Sequence, residues 1–403
     1  TGTTIASGGT QTLHPGTSVT STTVQSGGTL DLWGWGGSAT ATTLSAGYVL
    51  RADTSNTLTT TDGSVTISGG TASRVTLNSG GMLEVVFPGD KAISTTVNEG
   101  GSMYVDDGNV TSTTVNGGSL NVYGGNVTST MMNGGTMTVT YFGSGSVNAT
   151  ILNSGGSQLV NSGEVSATTV NSGGVQNVSG GTVTGTTVNS GGYQYVYGGT
   201  ANETTVRGGE QFVFNGTAVS TTISGGRQIV SGGVASGTVI NSGGLQGITS
   251  GGSATSTSVN AGGAQMVLSG GTAVSTIVNN SGEQAVGSGG TALGTIVQAG
   301  GLMNIDSGAQ ISGTTTLNGG TVALIGNSGS YAINYLVASS GTVRLAYSNT
   351  VGRNLTLNNL SGSANFIINT DLAAGAADTI IVSGGTSTNT FQVAYNPAYL
   401  TGQ

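Results

Sequence analysis

Apolar positions along this chain neither recur at helical spacing nor alternate over long runs. They return at fixed offsets within a unit of roughly 17 to 20 residues that reads Ser-Gly-Gly-Thr-Ala-x-Ser-Thr-Thr-Val-Asn-Ser-Gly-Gly-x-Gln-x-Val. One apolar residue after a Thr pair anchors each unit: Val24, Leu44, Leu77, Val97, Val115, Met132, Leu152, Val170, Val188, Val206, Ile223, Ile240, Val259, Val278, Val297 and Leu317. Five residues before the anchor stands a small apolar residue, as at Val183, Ala201 and Ala254, in every unit but the last. Two before it stands Thr, except at Val75, and three after it stands Gly, except where Ser281 precedes Gly282.

Thr and anchor, two apart, fall on one face of an extended strand, so each unit offers a short strand with a small inward face. Gly pairs turn the corner into a second apolar run, such as Leu120-Asn121-Val122, Val175-Gln176-Asn177-Val178 or Ala264-Gln265-Met266-Val267. No unit can bury such a face alone, whereas stacked coils pair every backbone group with neighbours above and below and build a continuous core. The expected fold is all-β: a right-handed parallel β-helix of about 18-residue coils, with seventeen coils making a rod of roughly 80 Å at the strand spacing of parallel sheets. Leucine-rich repeats need a denser Leu pattern, helical repeats need helix formers in place of Gly and Thr, and propeller blades need a longer period.

Asn follows the anchor in eleven units, among them Asn78, Asn98, Asn153, Asn171, Asn189, Asn241 and Asn260. Gln recurs as Gln158, Gln176, Gln194, Gln211, Gln228, Gln246, Gln265 and Gln284. Both series read as structural amide ladders bonded from coil to coil or to the turn backbone.

The repeat breaks in two places. Between Leu44 and Leu77 the spacing nearly doubles, with Leu58 as a degraded anchor, so a loop excursion is expected at 45–66 within a repeat region of 1–320. After Leu317 the unit fades, and 321–403 is expected to form atypical coils and a cap, which solenoids require.

Composition then removes most chemistry. The 403 residues include 76 Gly, 3 Pro, no Cys, 15 acidic and 7 basic residues, with a net charge of -8. There is no basic stripe for nucleic acid, no disulfide framework, and enough aliphatic residues to bury a core. No stretch of 18 apolar residues occurs, and Thr1 opens directly into repeat-like sequence, which reads as a mature or trimmed fragment. His14 is the single histidine, so neither a typical zinc site nor a His-activated nucleophile has its parts, and no cofactor or metal is expected. Gly-x-Gly patterns precede no helix, which removes the phosphate-binding reading. Asp106 and Asp107 are a conceivable acidic pair or calcium site, yet Asp106-Asp107-Gly108-Asn109 reads more simply as a turn.

The units, with Ser-Gly-Gly-Thr-Ala, Thr-Thr-Val-Asn-Ser-Gly-Gly and the following Gln-x-Val, resemble self-associating autotransporter adhesins of the antigen 43, AIDA and TibA type over roughly residues 1 to 320. The segment Leu355 to Val393, with Leu360-Ser361-Gly362-Ser363 and Phe366-Ile367-Ile368-Asn369, resembles the pertactin-like, autochaperone end cap of such passengers. The resemblance implies a bacterial surface or secreted location outside the outer membrane, type V export through the chain's own β-barrel translocator, autoaggregation, biofilm formation and attachment to host cells. It also implies a heptosyltransferase as partner, with Ser172, Ser190 and Ser242 as candidate glycan acceptors. No Gly-Asp-Ser-Gly protease motif is present, so no enzymatic activity is expected.

Half of the charges lie between Asp31 and Asp107. Trp33, Trp35, Asp90, Lys91, Asp106, Asp107 and Asn109 are therefore the candidate binding and self-association residues. The leading expectation is contact between copies on neighbouring cells. The alternatives are a host-glycan or matrix module centred on Trp33 and Trp35, and a β-helical polysaccharide-active enzyme using Asp106 and Asp107.

Overall fold

The structure is a computed structural model that describes residues 2–14, 17–20, 22–25, 28–32, 38–44, 49–52, 57–60, 66–67, 71–73, 76–77, 79, 82–85, 88–141, 145–345, 350–371 and 374–395. The chain is a parallel β-solenoid. It divides into two compact units, Thr1–Asn202 and Glu203–Gln403.

One coil of the first unit shows how the repeat works. Three short strands, Thr182–Thr184, Thr187–Asn189 and Tyr193–Val196, form three walls. Val183, Thr186, Val188, Gln194 and Val196 point inward, each no more than 1% exposed. The first corner is made at Gly185, whose φ of 69° is left-handed; in neighbouring coils Ser112, Ser129, Ala149 and Ala167 take the same conformation. At the second corner the Gly pair divides the labour. Gly191 has φ of 74°, whereas a Cβ on Gly192 would lie 2.6 Å from the carbonyl oxygen of Val170 in the coil below. Backbone pairing is in register and parallel: Thr187 with Thr169, Val188 with Val170, Gln194 with Gln176.

The second unit repeats this plan, with Ala254 over Ala273, Val259 over Val278 and Gln265 over Gln284. The anchors Val206, Ile223, Ile240 and Val259 form one buried cluster.

The core differs from the sequence reading in one respect. The run after the second corner is apolar inside where it reads Leu120-Asn121-Val122, but from Gln158 to Gln284 an inward Gln joins the Val: Gln176 and Val178 are fully buried, while Val175 is only half-buried and Met266 is 39% exposed. The inward Gln side chains stack. Gln176 Nε2 donates to Gln158 Oε1 at 2.7 Å and Gln194 Nε2 to Gln176 Oε1 at 2.7 Å. In the second unit the same bond links Gln228 to Gln211, Gln246 to Gln228, Gln265 to Gln246 and Gln284 to Gln265, at 2.6 to 2.8 Å. A buried amide is costly unless paired, and the column pairs it in every coil it crosses.

Around the expected excursion, Val49–Ala52 pairs in register with Thr29–Leu32 on one side and with Met82 to Glu84 on the other. Thr57–Thr60 stacks on Ser38 and Ala39, and Thr66–Ile67 runs antiparallel to Thr59 and to Ala72. At the other end the strands lengthen to Gln310–Leu324, Gly329–Arg344 and Arg353–Gly362, still mainly parallel, with a local antiparallel pair of Thr370 and Ala377. Arg353 and Asp378 are buried there as an ion pair, Nη1 to Oδ1 3.9 Å.

Candidate functional site

With the inward positions filled by aliphatic residues, Thr and Gln, function falls to the outward ones. The most regular is the position after the anchor. In the first unit Asn116 Nδ2 donates to Asn98 Oδ1 at 3.2 Å, Asn133 to Asn116 at 3.1 Å, Asn153 to Asn133 at 2.7 Å, Asn171 to Asn153 at 2.9 Å and Asn189 to Asn171 at 2.9 Å. A carboxamide has two N–H donors and an oxygen with two lone pairs, and this ladder uses one of each. Every inner rung therefore keeps one donor and one acceptor for another molecule. A shorter row in the second unit links Asn260 to Asn241 and Asn279 to Asn260, at 2.9 and 2.8 Å.

Of the charged candidates, Asp106 and Asp107 are exposed in the bend after Ser102–Val105. Lys91 is exposed and in parallel register with Asn109, whose amide oxygen accepts from Asn126 Nδ2 at 3.2 Å. Asp90 is only 3% exposed, and its carbonyl accepts the Asn109 backbone N–H, so it belongs to the wall and presents no side chain to a partner. Trp33 and Trp35 lie outside the described residues. Ser172, Ser190 and Ser242 are all exposed, on the turns that follow the anchor strands.

Two features escaped the sequence reading. Tyr193 and Tyr195 alternate along the strand Tyr193–Val196, Tyr197 follows it, and the three rings stack on the outside, with centroids 6.1 and 5.9 Å apart and planes within 13°. In the second unit Phe212 and Phe214 do the same at 6.1 Å, with the Arg227 guanidinium 5.9 Å from the Phe212 ring. Aromatic residues at i, i+2 and i+4 were the available signal. Among the described residues, no group of three His, Cys, Asp or Glu side chains could hold a metal, and no helix is long and apolar enough to cross a membrane.

A coiled parallel stack with a polar, periodic exterior defines a parallel β-solenoid. The family model described as adhesin of bacterial autotransporter system, probable stalk, matches residues 59–118 and 227–282, and the pertactin model matches 314–397. The hyper-glycosylated TibA55-350 fragment, glycosylated by TibC and solved by crystallography, is 32% identical over 79% of this chain and 94% of that chain, with a TM-score of 0.40. No curated protein matches the chain. On the identity over nearly all of the TibA fragment, together with both family models, the chain belongs to the autotransporter adhesin passengers. It is a surface-exposed or secreted adhesin.

Proposed function

We propose that the chain mediates self-association between bacteria, leading to autoaggregation and biofilm, with copies meeting through the outward amide ladder of Asn98 to Asn189. The half-used amides of that ladder carry the proposal. An identical ladder running the opposite way offers acceptors to donors and donors to acceptors at the same coil spacing, the self-complementarity that a two-fold contact needs. Each added bond contributes only about 0.5–1.5 kcal/mol, so affinity comes from repetition along the ladder. Lys91, Asp106, Asp107 and Asn109 extend the contact into the charged part of the first unit, where opposite charges across two copies set register more than strength.

The remaining assignments rest on the family. Ser172, Ser190 and Ser242 are proposed acceptors for heptose from a dedicated transferase, as exposed turn hydroxyls in a chain related to a hyper-glycosylated fragment. The chain acts outside the outer membrane, delivered by its own β-barrel translocator, attaches to host cells, and has no catalytic role.

Sedimentation of the purified chain over concentration and salt tests self-association. Reversible association should be lost in Asn116→Asp/Asn153→Asp, which puts like charges on the ladder, and weakened in Asp106→Asn/Asp107→Asn. A strictly monomeric parent, or a charged-ladder variant that associates as the parent does, overturns the reading.

A further inference from the structure

We propose that the outer face of the coil carrying Tyr193, Tyr195 and Tyr197 is a binding site for a neutral polysaccharide. The inward residues of that strand, Gln194 and Val196, are fully buried and fix which side chains face out. The three rings are consequently held on the solvent side, Tyr197 45% exposed and the other two half-buried. Their planes lie within 11° and 13° of parallel at centroid separations of 6.1 and 5.9 Å, an ordered aromatic row on the solvent side of the strand. Three ordered rings with two side-chain torsions each are preorganised, so little conformational entropy is lost when a ligand settles on them.

The surroundings select the ligand class. Asn177 stands in register beneath Tyr195, half-buried, and its amide makes no hydrogen bond among the described residues. On this face Leu159 is in register with Asn177 on its other side, and Val175 is in register with Ser157 and Tyr193. The sequence from Glu99 to Asn202 contains no Lys or Arg, and the whole chain carries -8, so this part of the first unit offers no cation to a phosphate or sulfate. Aromatic rings for the C–H faces of pyranose rings, with the Asn177 amide for sugar hydroxyls, fit an uncharged hexose chain. A peptide strand would need an unpaired sheet edge, yet this strand is hydrogen-bonded within the stack. The site differs in residues and chemistry from the Asn ladder and does not depend on self-association.

Affinity electrophoresis in native gels containing dextran, mannan or a β-glucan, with dextran sulfate as the charged comparison, tests the proposal on the full chain. The parent should be retarded by at least one neutral polymer. Replacing all three tyrosines by Leu, which keeps apolar bulk and strand preference, should raise the apparent Kd at least about tenfold, as loss of a binding hot spot does. Asn177→Ala should raise it less while leaving the circular dichroism of the solenoid unchanged. Retardation by dextran sulfate alone, by none of the polymers, or equally in the parent and the Leu variant overturns the proposal.

Discussion

The Thr186 hydroxyl donates to the Gln176 carboxamide oxygen across 3.1 Å inside the solenoid. That oxygen also accepts Gln194 Nε2, so one buried atom ties together three side chains from two successive coils. Thr168 makes the same bond to Gln158 in the first unit, and Thr221, Thr238, Thr257, Thr276 and Thr295 make it in the second. Replacing Gln176 with Leu strands the Thr186 hydroxyl and the Gln194 amide without water. The expected loss is roughly 2–5 kcal/mol, read as a fall in the urea midpoint. Adding Thr186→Val should recover part of it, because one orphan is removed; a double variant no better than the single would mean the pair is not coupled.

The same column explains where hydroxyls go unpaired. Ahead of Gln158 the inward position is held by Leu83, Met103, Leu120 and Met137 in register. Thr95, Thr113 and Thr130 are the buried hydroxyls left without a partner in those coils, and Thr315, one coil beyond Met303, is another. Thr→Val should therefore have opposite signs in two places. Thr113→Val should stabilise by about 1 kcal/mol, while Thr186→Val should destabilise by about as much. A loss of stability at Thr113 would contradict the account.

How much of this was legible follows from parity. Anchor, Thr and small apolar residue share one face at fixed offsets, so walls and core could be written from the sequence. Gln two residues before a buried Val has the same parity as Thr two residues before the anchor, which was the sign that it points inward; its polarity masked the sign. Asn, adjacent to the anchor, has the opposite parity and lies outside. What no local pattern revealed was the partner of a residue many positions away: Arg353 with Asp378, or Asp90 drawn into the wall.

A backbone prediction concerns the first corner. Ala149 and Ala167 hold φ of 55° and 52°, where a Cβ is strained, in the place that Gly185 fills in the next coil. Relief of that strain is worth about 1–2 kcal/mol, offset by the greater freedom of Gly in the unfolded chain. Ala167→Gly should raise thermal stability by the remainder, and Gly185→Ala should lower it. Differential scanning calorimetry on the two variants separates this from a corner that tolerates any residue.

Tyr141 provides a pH prediction. Its hydroxyl is buried without a hydrogen bond, and burial, helped by the charge of Glu164, pushes its ionisation well above the ordinary value of 10.0. The unfolded chain then loses this proton near pH 10 while the folded chain keeps it. The stabilisation is intact below pH 10 and declines as pH rises through the folded value. Tyr141→Phe should flatten this alkaline decline and add about 1 kcal/mol at neutral pH by removing the unpaired hydroxyl. Urea midpoints for the two proteins at pH 7, 9 and 11 should diverge most at pH 11; parallel curves would count against the assignment.

Asp378 draws the last segment together. Its two carboxylate oxygens accept the backbone N–H groups of Arg353 and Asn369, each at 3.0 Å. The Arg353 guanidinium lies 3.9 Å away and donates to Thr350 O at 2.8 Å and to Gly326 O. Carboxylate and guanidinium together join strands that are far apart in sequence. Both side chains are fully buried, so removing one charge leaves the other in a medium that cannot hydrate it, at a cost of about 3–5 kcal/mol. Asp378→Asn should therefore open the segment after Thr350 to limited proteolysis, while the Gln-laddered coils stay resistant. Arg353→Met/Asp378→Asn, which removes both charges, should be cleaved more slowly than Asp378→Asn alone. Equal cleavage of the single and double variants would show that the backbone bonds, and not the buried pair, hold this segment closed.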